Sequence, residues 1–163
     1  MPAAFTIRRV EAADRAALLG HVRALNIHED MIARDRATAD ADTVATLDEA
    51  LGRVVDSGGI ALVAEAEGLV IGHLFLTIET APPFIRAEFR RRAYIADAFV
   101  QEAFRSRGAF RAMLAEAEAH ARATGCRQLM IGVLAGNAIA ERVYRRAGFR
   151  DYAIETIREI PQA

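Results

Sequence analysis

Two apolar runs, Ile60 to Glu65 and Leu69 to Ile78, flank the pair Glu67-Gly68. A glycine-bearing break this short between two strand-like runs folds the chain back on itself as a hairpin. This puts an antiparallel pair in the middle of the chain, and the flanking elements must build around it. Thr80-Ala81-Pro82-Pro83 ends the second run, since proline cannot continue a ladder. Arg90 to Val100 then reads as a long strand with Tyr94, Ile95, Phe99 and Val100 as its large apolar residues. From Ala109 to Thr124, Phe110, Met113, Leu114 and Ala117 recur at helical spacing before Gly125, a helix with its stop signal. Leu129 to Leu134 reads as a strand, Asn137 to Ala147 as a helix ended by Gly148, and Phe149 to Ile160 as the closing strand or strands. Strands joined through a helix pair in parallel.

Ahead of the hairpin, Phe5 to Val10 reads as a strand, and Asp14 caps a helix striped by Leu18, Val22 and Leu25. The polar segment Asn26 to Asp42 connects it to a second amphipathic stretch, Val44, Leu47, Leu51, Val54 and Val55, which ends at Gly58-Gly59. The predicted order is strand, two helices, three strands, helix, strand, helix, strand. It describes an α/β protein whose mixed central sheet carries helices on both faces. At 163 residues, the chain reads as one domain spanning 1–163.

Several chemistries lack their residues. All 21 basic residues are arginine, so neither a lysine Schiff base nor a lysine-bearing phosphate loop can form. Ser57 and Ser106 lie outside any nucleophile elbow, and the single Cys126 has no thiol partner. His21, His28, His73 and His120 show no zinc-protease spacing, so no metal is expected. Neither a membrane span nor a signal peptide is legible, which predicts a cytoplasmic protein without membrane partners. The arginines lack the interleaved aromatics and the basic balance of a nucleic-acid binder. Charge is uneven: residues 1–85 hold 7 Arg against 13 acids, and residues 86–111 hold 7 against 3. That division suits a protein handling a cation and an anion together, or solvated helix surfaces.

The basic stretch contains Arg105-Ser106-Arg107-Gly108-Ala109-Phe110 between a strand and a helix start. Free amides and the helix dipole favour an anion such as pyrophosphate there, and Arg111 adds charge; a solvated arginine cluster is the other reading. A helix further on come Asn137, Tyr144 and Ala147-Gly148-Phe149. With these two elements the sequence resembles the GNAT superfamily of N-acetyltransferases. Its first motif is Arg/Gln-x-x-Gly-x-Gly/Ala after a strand, and its second is an Asn followed by Tyr and Gly-Phe. Arg105 and Gly108 match, whereas Phe110 stands where the family has Gly or Ala. The helical stripe points that ring into the core.

The resemblance implies acetyl-CoA as co-substrate, its pantetheine arm lying between two parted strands. Main-chain groups of Ala98, Phe99 and Val100 would pair with that arm, and amides from Arg105 to Phe110 would hold the pyrophosphate. Asn137 would touch the cofactor or fix its helix, and Tyr144 would protonate the leaving thiolate. Tyr144 also fits a buried aromatic. For the general base, Asp97 sits nearest the motif, with Glu79, His73, His28 and Glu29 as further candidates. Tyr94 to Val100 is similar to polyamine acetyltransferases, but Ala96 stands where they carry an acid. Residues 26–49 hold seven acids against Arg34 and Arg36, which points to a cationic small-molecule or peptide amine as acceptor. The implied function is N-acetyl transfer, the alternative is a non-catalytic CoA-binding or regulatory module, and the family's habits allow a homodimer.

Overall fold

In the computed structural model, residues 5 to 162 are described. The hairpin forms as β2 (Ile60–Ala66) and β3 (Leu69–Thr80), paired antiparallel from Ala66↔Leu69 to Ile60↔Leu76. Glu67 (φ 52°) and Gly68 (φ 76°) both take the left-handed conformation that a tight hairpin turn requires. β1 (Thr6–Arg9) adds antiparallel to β2, β4 (Arg91–Val100) antiparallel to β3, and β5 (Leu129–Ile131) parallel to β4. The sheet order is β1-β2-β3-β4-β5.

β3 is buried without interruption from Ile71 to Ile78, as befits a central strand covered on both faces. One face packs Leu62, Leu74, Leu76, Ala93 and Ile95 against Met113, Leu114 and Ala117 of α4 (Ala109–Ala123). The other packs Val63 and Phe75 against Leu18 and Val22 of α1 (Arg15–Ala33) and Leu47 and Val54 of α2 (Asp40–Ser57). Arg8 on β1 donates to both carboxylate oxygens of Asp14, at 2.7 and 2.8 Å, and to Glu65 on β2 at 2.9 Å. This fork ties the entry of α1 to the sheet edge.

Four expectations are corrected. α1 continues to Ala33, because Leu25, His28, Glu29 and Ile32 carry its half-buried face onward; His28 and Glu29 therefore lie on a helix, not in a connecting loop. A one-turn helix, α3 (Ala87–Arg90), precedes β4. β5 stops at Ile131, three residues short of Leu134. No closing strand forms: residues 149–162 are not in a strand, and Ile154, Ile157 and Ile160 are at least 78% exposed. Their spacing of three is the reason, since only a spacing of two keeps side chains on one face of a strand and specifies its register. α5 (Ala138–Arg146) completes the described elements. Among the described residues no helix is long and apolar enough to cross a membrane.

Candidate active site

β4 and β5 pair only at Ala93↔Leu129, Tyr94↔Met130 and Ile95↔Ile131. Beyond Ile95, β4 runs on to Val100 bonded to β3 alone, so the strands part and Ala96 to Val100 present a free edge. The ladder to β3 skips a residue at the point of parting: Ile95 opposes Leu76 and Asp97 opposes Phe75, leaving Ala96 as a bulge. A bulge resets the alternation of a strand. Tyr94 and Asp97, three apart and otherwise on opposite faces, thereby join Phe99 on the face that carries Thr77, Phe75 and His73.

Chain leaving β4 passes a short 3₁₀ turn (Glu102–Phe104) and enters α4 through Ser106 (φ 61°) and Gly108 (φ 94°). Ala112 donates to the Gly108 carbonyl, but no described backbone acceptor engages the amides of Ala109, Phe110 and Arg111. These are the free donors of a first helical turn. Around Gly108 the space is open, the nearest atom to a Cβ there being 3.9 Å away on Phe5. The three arginines differ. Arg105 Nε donates to the Val100 carbonyl at 3.0 Å, Arg107 lies 5.4 Å from the Phe104 ring centroid, and Arg111 is exposed. Phe110 turns away from the loop, 5.8 Å from Tyr144 by ring centroids and packed on the α4 side of the core, which is the direction its helical spacing predicts.

Asn137 caps α5, accepting from the Ala140 amide at 3.2 Å while itself 9% exposed. Tyr144 lies between Phe110 and Phe149. Burial first, then the nearby charges of Asp97 and Glu29, push its hydroxyl up to about 12. Such a phenol stays protonated at neutral pH. The hydroxyl of Tyr94 reaches across to Gly132, 2.8 Å from where a Cβ would stand, so only glycine leaves room for it.

Asp97 has a side chain 12% exposed and accepts a hydrogen bond from His73 Nε2 at 3.0 Å. Among the other base candidates, His73 is wholly buried and Glu79 sits at the far end of β3 opposite Arg92. Glu29 pairs with Arg36 at 2.8 Å. His28 lines a cleft of about 380 Å³ between α1 and the end of β4, together with Leu25, Ile27, Met31, Phe99, Gln101, Glu102 and Arg105. Its α1 wall is largely apolar. Most acids of 26–49 are drawn into local contacts: Asp35 with Arg36, Asp40 with Arg23 and Asp48 with Arg15, while Asp30 accepts from the Arg36 amide. Sequence reasoning missed His21 and Gln101, which join His73 behind Asp97; residues 52 and 80 positions apart leave no spacing signal. It also missed the bulge that brings Tyr94 to Asp97's face. No group of three or more His, Cys, Asp and Glu among the described residues is arranged to hold a metal ion.

Parted strands, a glycine-led helix start with free amides and a Tyr beside an Asp form a recognisable set, and a family model described as acetyltransferase (GNAT) family matches residues 17–149. The chain belongs to that family. Among curated proteins no relative matches it. Its fold is shared with solved GNAT structures at low identity. A GCN5-related N-acetyltransferase from Ralstonia eutropha is 21% identical with a TM-score of 0.71, covering 96% of this chain and 99% of that one. An aminoglycoside 6'-N-acetyltransferase from Acinetobacter haemolyticus is 15% identical with a TM-score of 0.70, covering 96% and 99%. A predicted acetyltransferase from Clostridium acetobutylicum, solved with acetyl-CoA, is 15% identical with a TM-score of 0.73, covering 96% of each chain. In GNAT terms, the departure at Phe110 is accommodated by the core packing of its ring, which leaves the helix start uncovered.

Proposed function

We propose that this GNAT protein transfers an acetyl group from acetyl-CoA to a primary amine by direct attack. The observation that carries the reading is the parting of β4 from β5 beyond Ile95, which frees the β4 edge beside Asp97. Residues fit the co-substrate at two places. The free first-turn amides of α4, with Arg107 and Arg111 near them, suit a pyrophosphate. The open β4 edge at Ala98 and Phe99 suits an amide-bearing arm, whereas the Val100 carbonyl already accepts from Arg105. When bound, acetyl-CoA supplies a thioester carbonyl and a thiol leaving group.

An amine is mostly protonated at neutral pH and must be neutral to attack. Asp97, with Oδ1 committed to His73, has Oδ2 left to take that proton. Tyr144, kept protonated by burial, donates a proton to the departing sulfur. Each role is of the general acid–base kind, which contributes about 10²- to 10⁴-fold. No covalent enzyme intermediate is required, in keeping with a lysine-free, serine-poor chain. The acceptor is an amine on a small molecule or peptide. Because most acids of 26–49 are paired and the cleft wall is largely apolar, the geometry favours an amine on an apolar body over a polycation. The exposed isoleucines after Arg150 and the outer edge of the three-residue β5 are the surfaces on which a homodimer would form.

The deciding experiment measures thiol release from acetyl-CoA against a panel of neutral, cationic and apolar amines. Tyr144→Phe is expected to lower kcat by 10²-fold or more while CoA affinity stays within about twofold. CoA binding with no thiol release from any amine would instead support the non-catalytic, CoA-binding reading.

A further inference from the structure

Behind Asp97 the interior holds a chain of polar groups that catalysis as described above does not use. His73 is 0% exposed and His21 4% exposed. Their Nδ1 atoms are 3.4 Å apart, their rings stack at 18°, and Phe99 lies 4.8 Å from the His21 ring centroid. His73 Nε2 is 3.0 Å from Asp97 Oδ1, and His21 Nε2 is 3.1 Å from Gln101 Nε2. The same Gln101 nitrogen donates to the Val70 carbonyl at 3.1 Å.

The two contacts of the Gln101 amide nitrogen point to one arrangement of protons with neutral rings, in which the Val70 carbonyl, which also faces the His21 ring, is taken up by Gln101. An atom bonded to a carbonyl oxygen must be an N–H donor, so the Gln101 amide orientation is settled by Val70. Gln101 therefore donates to His21 Nε2, which must be a lone pair. A neutral imidazole carries one N–H, so the His21 proton is on Nδ1 and points at His73 Nδ1. That atom accepts, which leaves the His73 proton on Nε2, donated to Asp97. Every donor in the chain points the same way, toward the carboxylate. Burial keeps the His21 ring neutral, pushing it down to about 4.

We infer that Gln101, His21 and His73 form a directed hydrogen-bond relay that orients Asp97 and favours its ionised form, His73 and His21 acting as positioning residues. The inference deepens the proposed reaction and rests on Asp97 being its base. The relay carries no proton onward, because Gln101 has none to exchange. Its effect is to engage Oδ1 and leave Oδ2 as the proton acceptor. Gln101 and Phe99 also line the cleft beside α1, so the outer end of the relay lies at a wall a ligand would touch. The charge of Asp97 also acts on Tyr144 of α5, as do Glu29 on α1 and Tyr94 on β4.

Two measurements test it. Long-range ¹H–¹⁵N NMR of the full chain at neutral pH reads the tautomers without reference to activity: His73 is expected as the Nε2–H form and His21 as the Nδ1–H form. The opposite tautomers, or a charged ring, would overturn the relay. His73→Phe keeps the stacked ring and removes the N–H. A carboxylate that loses a donor takes up its proton at higher pH, so the acidic limb of kcat/KM is expected to move up by about one pH unit. The KM for acetyl-CoA should stay within about twofold. His21→Phe should move the limb the same way but less, and the double variant should match His73→Phe alone, since His21 acts only through His73. An unmoved limb in His73→Phe, or multiplicative losses in the double variant, would refute the relay. Failure of the proposed reaction shows differently, as full activity in Asp97→Asn or no transfer by the unaltered protein, with the NMR result standing on its own.

Discussion

Asp14 is 4% exposed and forked to Arg8, and that guanidinium holds its carboxyl below the usual range, with the Glu11 amide assisting. A depressed carboxylate adds stability that is present above its unfolded value near pH 4 and lost as pH falls through the lower native value. His21 acts in the same direction for a different reason: burial disfavours its charged form. Its contribution is complete above the ordinary histidine value near 6.5 and lost as pH falls to about 4, amounting to about 3 kcal/mol across that window. Urea unfolding as a function of pH is therefore expected to show stability declining from about pH 6.5 downward. His21→Phe should flatten the part between 6.5 and 4, and Asp14→Ala should cost about 2 kcal/mol at pH 7 with a smaller loss below pH 4. Gly59 supplies a steric prediction, because a Cβ there would sit 1.9 Å from the Leu76 carbonyl oxygen. Gly59→Ala should lose more than about 3 kcal/mol by the same assay.

At the scale of elements, the bulge in β4 sits where the strand parts from β5. Deleting Ala96 would restore regular pairing with Asp97 still opposite Phe75 and Phe99 still opposite His73, removing the local bend in β4 while keeping every side chain on its present face. Such a variant is expected to lower turnover by letting β4 pair further along β5 and close the gap; thiol release measures the loss, and urea denaturation shows that the fold is kept. α4 anchors the loop that precedes it through Met113, Leu114 and Ala117. Met113→Ala opens a void at a fully buried position and should cost about 3 kcal/mol. The hairpin, α4 and the helix after Asn137 were legible because each is specified locally, by turn residues, a 3.6-residue stripe or a glycine stop. Ala96 as a bulge was not, since the extra residue shows only against the partner strand.

For the molecule as a whole, the sheet ends in the edge strands β1 and β5, and the segment after Arg150 carries its isoleucines into solvent. A chain ending at Arg150 is expected to keep its far-UV circular dichroism and its thermal midpoint within about 3 °C. The sequence by itself determined the order of the strands and long helices through Arg146, though not the one-turn α3, together with the GNAT motifs and the exclusion of lysine and serine-elbow chemistry, because all of these are written in neighbouring residues. Only the tertiary structure decided that Phe110 meets Tyr144 and that His21, His73, Asp97 and Gln101 join in one hydrogen-bonded row. Those outcomes depend on which surfaces the sheet brings together across 24 to 80 positions of chain, and no local pattern encodes such distances.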